Sequence, residues 1–281
     1  MQDPFRPLRS LLFAPASNGR ALEKAGALPC DGVILDLEDS VAPEAKAAAR
    51  EAAVQALAAG FGSRARVLRC NGLDTAWAAE DARAAVRAGP DAVLVPKVRS
   101  AADVLAWDRA LEGAPGGVRL WAMIETPQAV LQLAAIAAAT RETRLGGLVL
   151  GLNDLMLELR AKDRAGLQPV LVQTVLAARA HGLLAFDSVF NAFEDEAGLS
   201  AECRRAAGLG FDGKTLVHPR QIEPCNRAFS PSAEEAAWAR RVVEAFAAPE
   251  AAGQGAIRLE GRMVERLHLE EARRVLRLAE S

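Results

Sequence analysis

Apolar and polar positions in this chain fall into short blocks that alternate almost to its end. Residues 10–16, 32–38, 66–71, 92–98, 120–125, 147–151, 184–189 and 215–218 form mostly apolar runs, the pattern of strands buried on both faces of a parallel sheet. Between them, alanine-rich stretches at 43–59, 75–88, 127–139, 170–180 and 196–208 read as helices. Thr126-Pro127 supplies a cap residue before a proline at the first helical position. Strand–helix units in this order predict an α/β fold, a (β/α)8 TIM barrel with a C-terminal helical extension. The barrel is expected over residues 1–229 and the extension over 230–281. A doubly wound open sheet competes, but no GxGxxG follows any strand. The tail carries a helix at 232–247, a glycine-containing stretch and a last helix within 261–281. It is too long to be a simple closing helix, so it packs under the barrel or reaches over an active site.

Composition narrows the partners. The apolar share of 51% and charged share of 25% suit a soluble globular chain, and a net charge of −2 gives no basic footprint for nucleic acid. Four cysteines without a CxxC pair point to reduced, buried thiols. No apolar run is long enough to span a bilayer, and the opening MQDPFRPLRS is polar and proline-broken, unlike a signal peptide. A cytoplasmic protein with no membrane partner is therefore expected.

In a barrel, catalytic groups come from the C-terminal ends of the strands. Those positions here carry Asp36, Glu38 and Asp39, then Arg69, Lys97, Glu125, Asn153-Asp154, Asp187 and His218. Their repetition predicts that these charges converge on one mouth. Glu125 and Asp154 follow apolar runs on adjacent strands, and two carboxylates without nearby Cys or His favour Mg2+. The other reading of Glu125 is a salt bridge with Arg69 or Lys97. Glu38 and Asp39 are placed to reach the metal through water, and Arg69 to grip a substrate carboxylate with its fork. Lys97 raises Schiff-base chemistry, which acidic neighbours oppose by keeping its ammonium charged. His218 reads as a loop-capping histidine ahead of the alternative, a substrate contact, and His181 lies at the wrong end of the barrel. Zinc-ligand spacing, a GxSxG elbow and a P-loop are all missing from the sequence.

The segments RSLLFAPASN, GVILDLEDSVAPEAKAAAR, LRCNGLDT, VLVPK, AMIETP, GLNDL and GFDGKTLVHPRQI occur in that order. Together they resemble the citrate lyase β-subunit-like proteins of the HpcH/HpaI aldolase and citrate lyase superfamily, which include malyl-CoA and citramalyl-CoA lyases. The resemblance runs from about residue 9 to the tail. It implies a magnesium-dependent carbon–carbon lyase that cleaves a malyl-, citramalyl- or citryl-type thioester into an acyl-CoA and a 2-oxo acid. It assigns the metal to Glu125 and Asp154, the acid's anchor to Arg69, the acidic pair to Glu38 and Asp39, and CoA contacts to Phe13, Arg20 and Lys24. A tail aspartate that caps a neighbouring subunit's site, and serves there in acid–base chemistry, falls on Glu265 in the segment GRMVERLH. The family's usual proline is Leu267. Glutamate keeps the carboxylate one methylene further out, and a misplacement of ~1 Å can cost ~100-fold in rate. Hydrolysis of a malyl-CoA-type thioester and a non-catalytic or carrier-protein-dependent subunit of a citrate lyase-like complex are the alternatives. The expected partners are a CoA thioester, or an acyl carrier protein, and further copies in a homotrimer or hexamer.

Overall fold

The computed structural model describes residues 7–248, 251 and 253–279. The chain alternates β1 (Ser10–Pro15), α1 (Gly19–Ala25), β2 (Gly32–Asp36), α2 (Lys46–Ala59), β3 (Ala65–Arg69), α3 (Ala78–Ala88), β4 (Ala92–Val95) and α4 (Ala101–Ala110). It continues through β5 (Arg119–Ile124), α5 (Pro127–Leu131), α6 (Leu133–Ala138), β6 (Leu145–Leu150), α7 (Leu152–Leu159), α8 (Gln168–Ala180), β7 (Leu184–Asp187), α9 (Glu196–Leu209), β8 (Gly213–Leu216) and α10 (Ile222–Phe229). All eight strands are parallel, and β1 pairs with both β2 and β8, which closes the barrel.

Apolar side chains divide by strand alternation into two layers. Leu11, Ile34, Val67, Leu94, Trp121, Met123, Val149 and Phe186 point inward and pack as a plug. Trp121 and Phe186 lie 4.8 Å apart at its centre. The alternate positions, such as Leu12, Val33, Leu68, Val93, Ala122 and Leu148, face the helices. With both faces buried, the strands had to read as continuous apolar runs. Gly147 makes room for the plug: a Cβ there would stand 2.9 Å from the Trp121 ring.

Several expected strands end two or three residues early, at Asp36, Arg69, Val95, Asp187 and Leu216. After β4 the reason is chemical, since Pro96 has no N–H to continue the ladder. The expected helix at 127–139 is broken at Gln132, and the one at 43–59 opens with a 3-10 turn over Pro43–Ala45.

Beyond Phe229 the extension holds α11 (Ala233–Ala247), an antiparallel hairpin of β9 (Ala256–Leu259) and β10 (Arg262–Glu265), and α12 (Arg266–Ala279). The expectation of a helical tail is thus supplemented by two strands. Ala239, Val242, Val264 and Ala272 form a small core of their own, flanked by Trp238, Phe246 and Ile257. The extension leaves from the end of the barrel opposite the mouth. Arg9, just before β1, donates to Ser230 Oγ, and Asn226 donates to the Pro29 carbonyl ahead of β2.

Candidate active site

Above the apolar plug the inward positions turn polar. Asp36, Arg69, Met123, Gly151, Asp154, Ser188 and Thr215 line a cavity of about 390 Å3 at the C-terminal ends of the strands, together with the apolar Phe13, Pro15 and Val217. Strand alternation puts Asp36 two residues above Ile34, and Arg69 two above Val67.

Arg69 and Asp36 form the densest ion pair. Arg69 Nε and Nη2 donate to the two Asp36 oxygens at 2.6 and 2.7 Å. Nη1 is 3.0 Å from Glu38 Oε2 and 3.3 Å from Asp39 Oδ2, and the guanidinium lies over the Phe13 ring at 4.7 Å. The fork expected to grip a substrate carboxylate is therefore spent on Asp36, and only the Nη1 side faces the acidic loop. Burial pushes the Asp36 carboxyl up, but the charge and hydrogen bonds of Arg69, with Ser40, outweigh it and hold the group below its ordinary value. Burial likewise pushes Glu38 up, to about 8, and Asp39, Glu125 and Asp36 add to this against the pull of Arg69. Glu38 Oε2 is buried and, despite its nearness to Arg69, accepts no aligned hydrogen bond. Lys46 ties the loop down through the Leu37 and Glu38 carbonyls (2.8 and 2.7 Å).

Glu125, directly after β5, is 1% exposed, and Asp154 sits in the first turn of α7. Leu152 N–H donates to Ser188 Oγ at 2.9 Å, which fixes the start of that helix against the end of β7. Both carboxylates converge on one cation, the Lys97 ammonium, which hydrogen-bonds Asp154 and lies 3.6 Å from Glu125 Oε1. Burial lowers the Lys97 pKa, but Glu125 and Asp154 more than reverse this, so the amine stays charged. That removes the basis for Schiff-base chemistry. Glu125 is pushed up by burial despite the Lys97 charge and backbone N–H. Gly151 is required here, because a Cβ would stand 2.5 Å from Glu125 Cβ and 2.6 Å from its Oε2.

The donor set fits a hard cation. Two carboxylates already share one positive group, and neither Cys nor His lines the cavity. Among the described residues no three His, Cys, Asp or Glu side chains form a cage. Two protein carboxylates, with water and substrate completing the shell, is the usual pattern for Mg2+.

The other expected residues are scattered. Arg20 and Lys24 are exposed on α1 and do not line the cavity. Asp187 is a correction: one residue beyond inward-facing Phe186, it points outward. There Lys214 (2.8 Å) and Arg164 (2.6 Å) bind it, beside Glu202. His218 caps the 3-10 turn after β8 through Arg220 N–H and stacks on Phe193 at 4.7 Å. Glu265 ends β10, where its N–H donates to His268 Nδ1 (2.9 Å). None of the described extension lines the cavity. Sequence reasoning missed Asp36 as the partner of Arg69 and Gly151 as the space for Glu125. The inward alternation of β2 was the available signal for the first.

Residues 9–219 match the profile of the HpcH/HpaI aldolase/citrate lyase family. The chain belongs to this family. It is 47% identical over 279 residues to a (3S)-malyl-CoA thioesterase of Cereibacter sphaeroides, covering 98% of this chain and 95% of that one. It is 36% identical to the citrate lyase subunit beta of Escherichia coli, covering 98% and 94%. Among solved structures, CitE from Mycobacterium tuberculosis in complex with magnesium, acetoacetate and coenzyme A superimposes with a TM-score of 0.79 at 34% identity, covering 99% of both chains. A CitE complex with oxaloacetate and magnesium gives a TM-score of 0.70 at 34% identity, covering 81% and 98%. The chain is thus an enzyme-family member with a TIM barrel, from a group that contains CoA-thioester hydrolases and citrate lyase subunits. Among its described residues no helix is long and apolar enough to cross a membrane.

Proposed function

We propose that the protein is a Mg2+-dependent hydrolase of a malyl-CoA-type thioester, with Glu125 and Asp154 as the metal ligands. The observation that carries this is the convergence of these two carboxylates on one cation at the mouth. It occurs in a chain 47% identical to a malyl-CoA thioesterase across 98% of its length. When bound, Mg2+ supplies positive charge for the substrate's carboxylate and neighbouring oxygen, and for negative charge developing on oxygen. Arg69 Nη1, its guanidinium stacked on Phe13, positions the acid half beside that site, while Met123, Val217 and Pro15 supply apolar lining. Arg20 and Lys24, exposed beyond the end of β1, hold the CoA phosphates.

The base is Glu265 of a neighbouring copy. Its own barrel mouth lies at the opposite end from where the extension departs, so an intact site needs at least two chains, in keeping with a homotrimer or hexamer. Residues from 230 onward then act as a cover for that neighbour. Glu265→Ala should lose about 10²–10⁴-fold in turnover, the usual share of a general base. Mixing it with Glu125→Gln and reassembling the subunits should restore part of the activity, since some sites then draw a sound residue from each chain. A mixture as inactive as its parents contradicts the shared site.

Gly151→Ala should fold yet bind Mg2+ about tenfold more weakly by calorimetry, because overpacking at Glu125 costs about 1–3 kcal/mol. Unchanged affinity would place the metal elsewhere.

Carbon–carbon cleavage is the second reading, which puts a retained Glu265 carboxylate and the resemblance to citrate lyase subunits to use. Product analysis on malyl-CoA with Mg2+ separates the two. Free CoA with intact malate supports hydrolysis, whereas acetyl-CoA with glyoxylate overturns it in favour of a lyase.

A further inference from the structure

Lys97 is one of three described non-glycine residues with positive φ, at +53°. Such a conformation is strained for a residue with a Cβ and persists only where its surroundings hold it. Here it falls two residues beyond the end of β4, directly after Pro96. The Lys97 backbone N–H donates to Glu125 Oε1 at 2.7 Å, and the side chain carries its ammonium to Asp154. Asp154 is 35% exposed in its side chain and lines the cavity; Glu125 is 1% exposed and does not. The ammonium thus bridges a cavity-lining carboxylate and a buried one. One amine cannot share both carboxylates with a divalent ion.

We propose that Lys97 is the resident counter-cation of this carboxylate pair, and that binding of a divalent cation displaces its ammonium into the adjoining cavity while its backbone N–H keeps Glu125 in place. This rests on Glu125 and Asp154 being the metal ligands. Without a metal, the ammonium relieves the repulsion of two carboxylates, one of them fully buried. With a metal, that task passes to the ion. The side chain is 26% exposed and has a flexible four-carbon stem, so it has room to leave. The swing is confined to the side chain, because the backbone bond to Glu125 does not depend on where the amine goes. No bond is made or broken in this exchange; one cation replaces another.

The test uses the full chain, Mg2+ and three readouts. Lys97→Met and Lys97→Gln both remove the charge and keep most of the length. Titrated with Mg2+ in a calorimeter, at least one folded variant should bind about tenfold more tightly than the parent, since no ammonium must be displaced or repelled. The metal-free variant should melt below the metal-free parent, and saturating Mg2+ should close that gap. In the parent, labelling of the Lys97 amine by an amine-reactive ester, read by peptide mass, should rise several-fold on adding Mg2+ as the amine is freed. Mg2+ affinity that is unchanged or weaker in the folded variants overturns the exchange and leaves the metal site standing. Labelling that stays flat while the parent binds Mg2+ overturns it too, even if neither variant folds. Failure of the parent and the variants alike to bind Mg2+ removes the metal site itself.

Discussion

Glu125→Gln should lower turnover about 10³-fold and abolish its stimulation by Mg2+, while leaving the fold intact. Removing preorganised charge stabilisation from an active site costs about 10²–10³-fold by itself, and loss of the metal sets the upper end. Stability should move the other way. Glu125 is buried, and burial pushes its carboxyl up despite Lys97, so carrying a charge there opposes folding at neutral pH. Glutamine fits the space left by Gly151 and still accepts the Lys97 N–H. The metal-free variant should melt no lower than the parent at pH 7. The difference should fade below the ordinary carboxylate range, where both side chains are neutral. A variant that keeps its Mg2+ response contradicts the assignment of the ligand.

Arg69→Met should be the more damaging change to the fold. It strips the bidentate partner from Asp36, which is 1% exposed, and leaves Glu38 deeper in its acidic neighbourhood. Breaking a buried pair in this way costs about 3–5 kcal/mol. The sign of the pH dependence follows from Asp36. Its carboxyl is held below its ordinary value, because Arg69 outweighs the effect of burial. The pair therefore stabilises fully above the ordinary carboxylate range and loses its effect as pH falls through the folded value. In the variant Asp36 can protonate instead. Urea denaturation should show a gap of several kcal/mol between variant and parent at pH 7, shrinking toward pH 4 and below. A gap of the same size at both would mean that the loss is one of packing against Phe13 and not of charge.

The barrel was legible in the sequence because burial on both faces forces strands to be apolar throughout, and eight such runs in turn leave few other folds. What stayed hidden has identifiable causes. The helix Ala101–Ala110 carries a Ser100/Asp103 capping box that is readable in principle. The helix Leu152–Leu159 starts within a residue of the strand before it, so the segment containing Asp154 reads as a loop. The hairpin of the extension turns at Glu260-Gly261, both with positive φ, and lacks the Asn-Gly or Asp-Gly signature of that turn.

At the site, the ionisable residues could be found but not their pairing. Arg69 and Asp36 are 33 positions apart and Lys97 and Asp154 are 57, so no local spacing links them. Asp187 shows that a charge at a strand end need not face the mouth. Alternation from Phe186 puts it on the outer face, against Lys214. Resemblance supplied the choice of substrate class, which strand periodicity does not carry.

The most direct test of the metal site is crystallographic. Crystals grown with Mn2+ in place of Mg2+, measured at the manganese edge, locate the ion by its anomalous scattering. One strong peak per chain is expected, about 2.0–2.3 Å from carboxylate oxygens of both Glu125 and Asp154. A peak held by Glu38 and Asp39 instead, with Lys97 still joining Glu125 to Asp154, would contradict it.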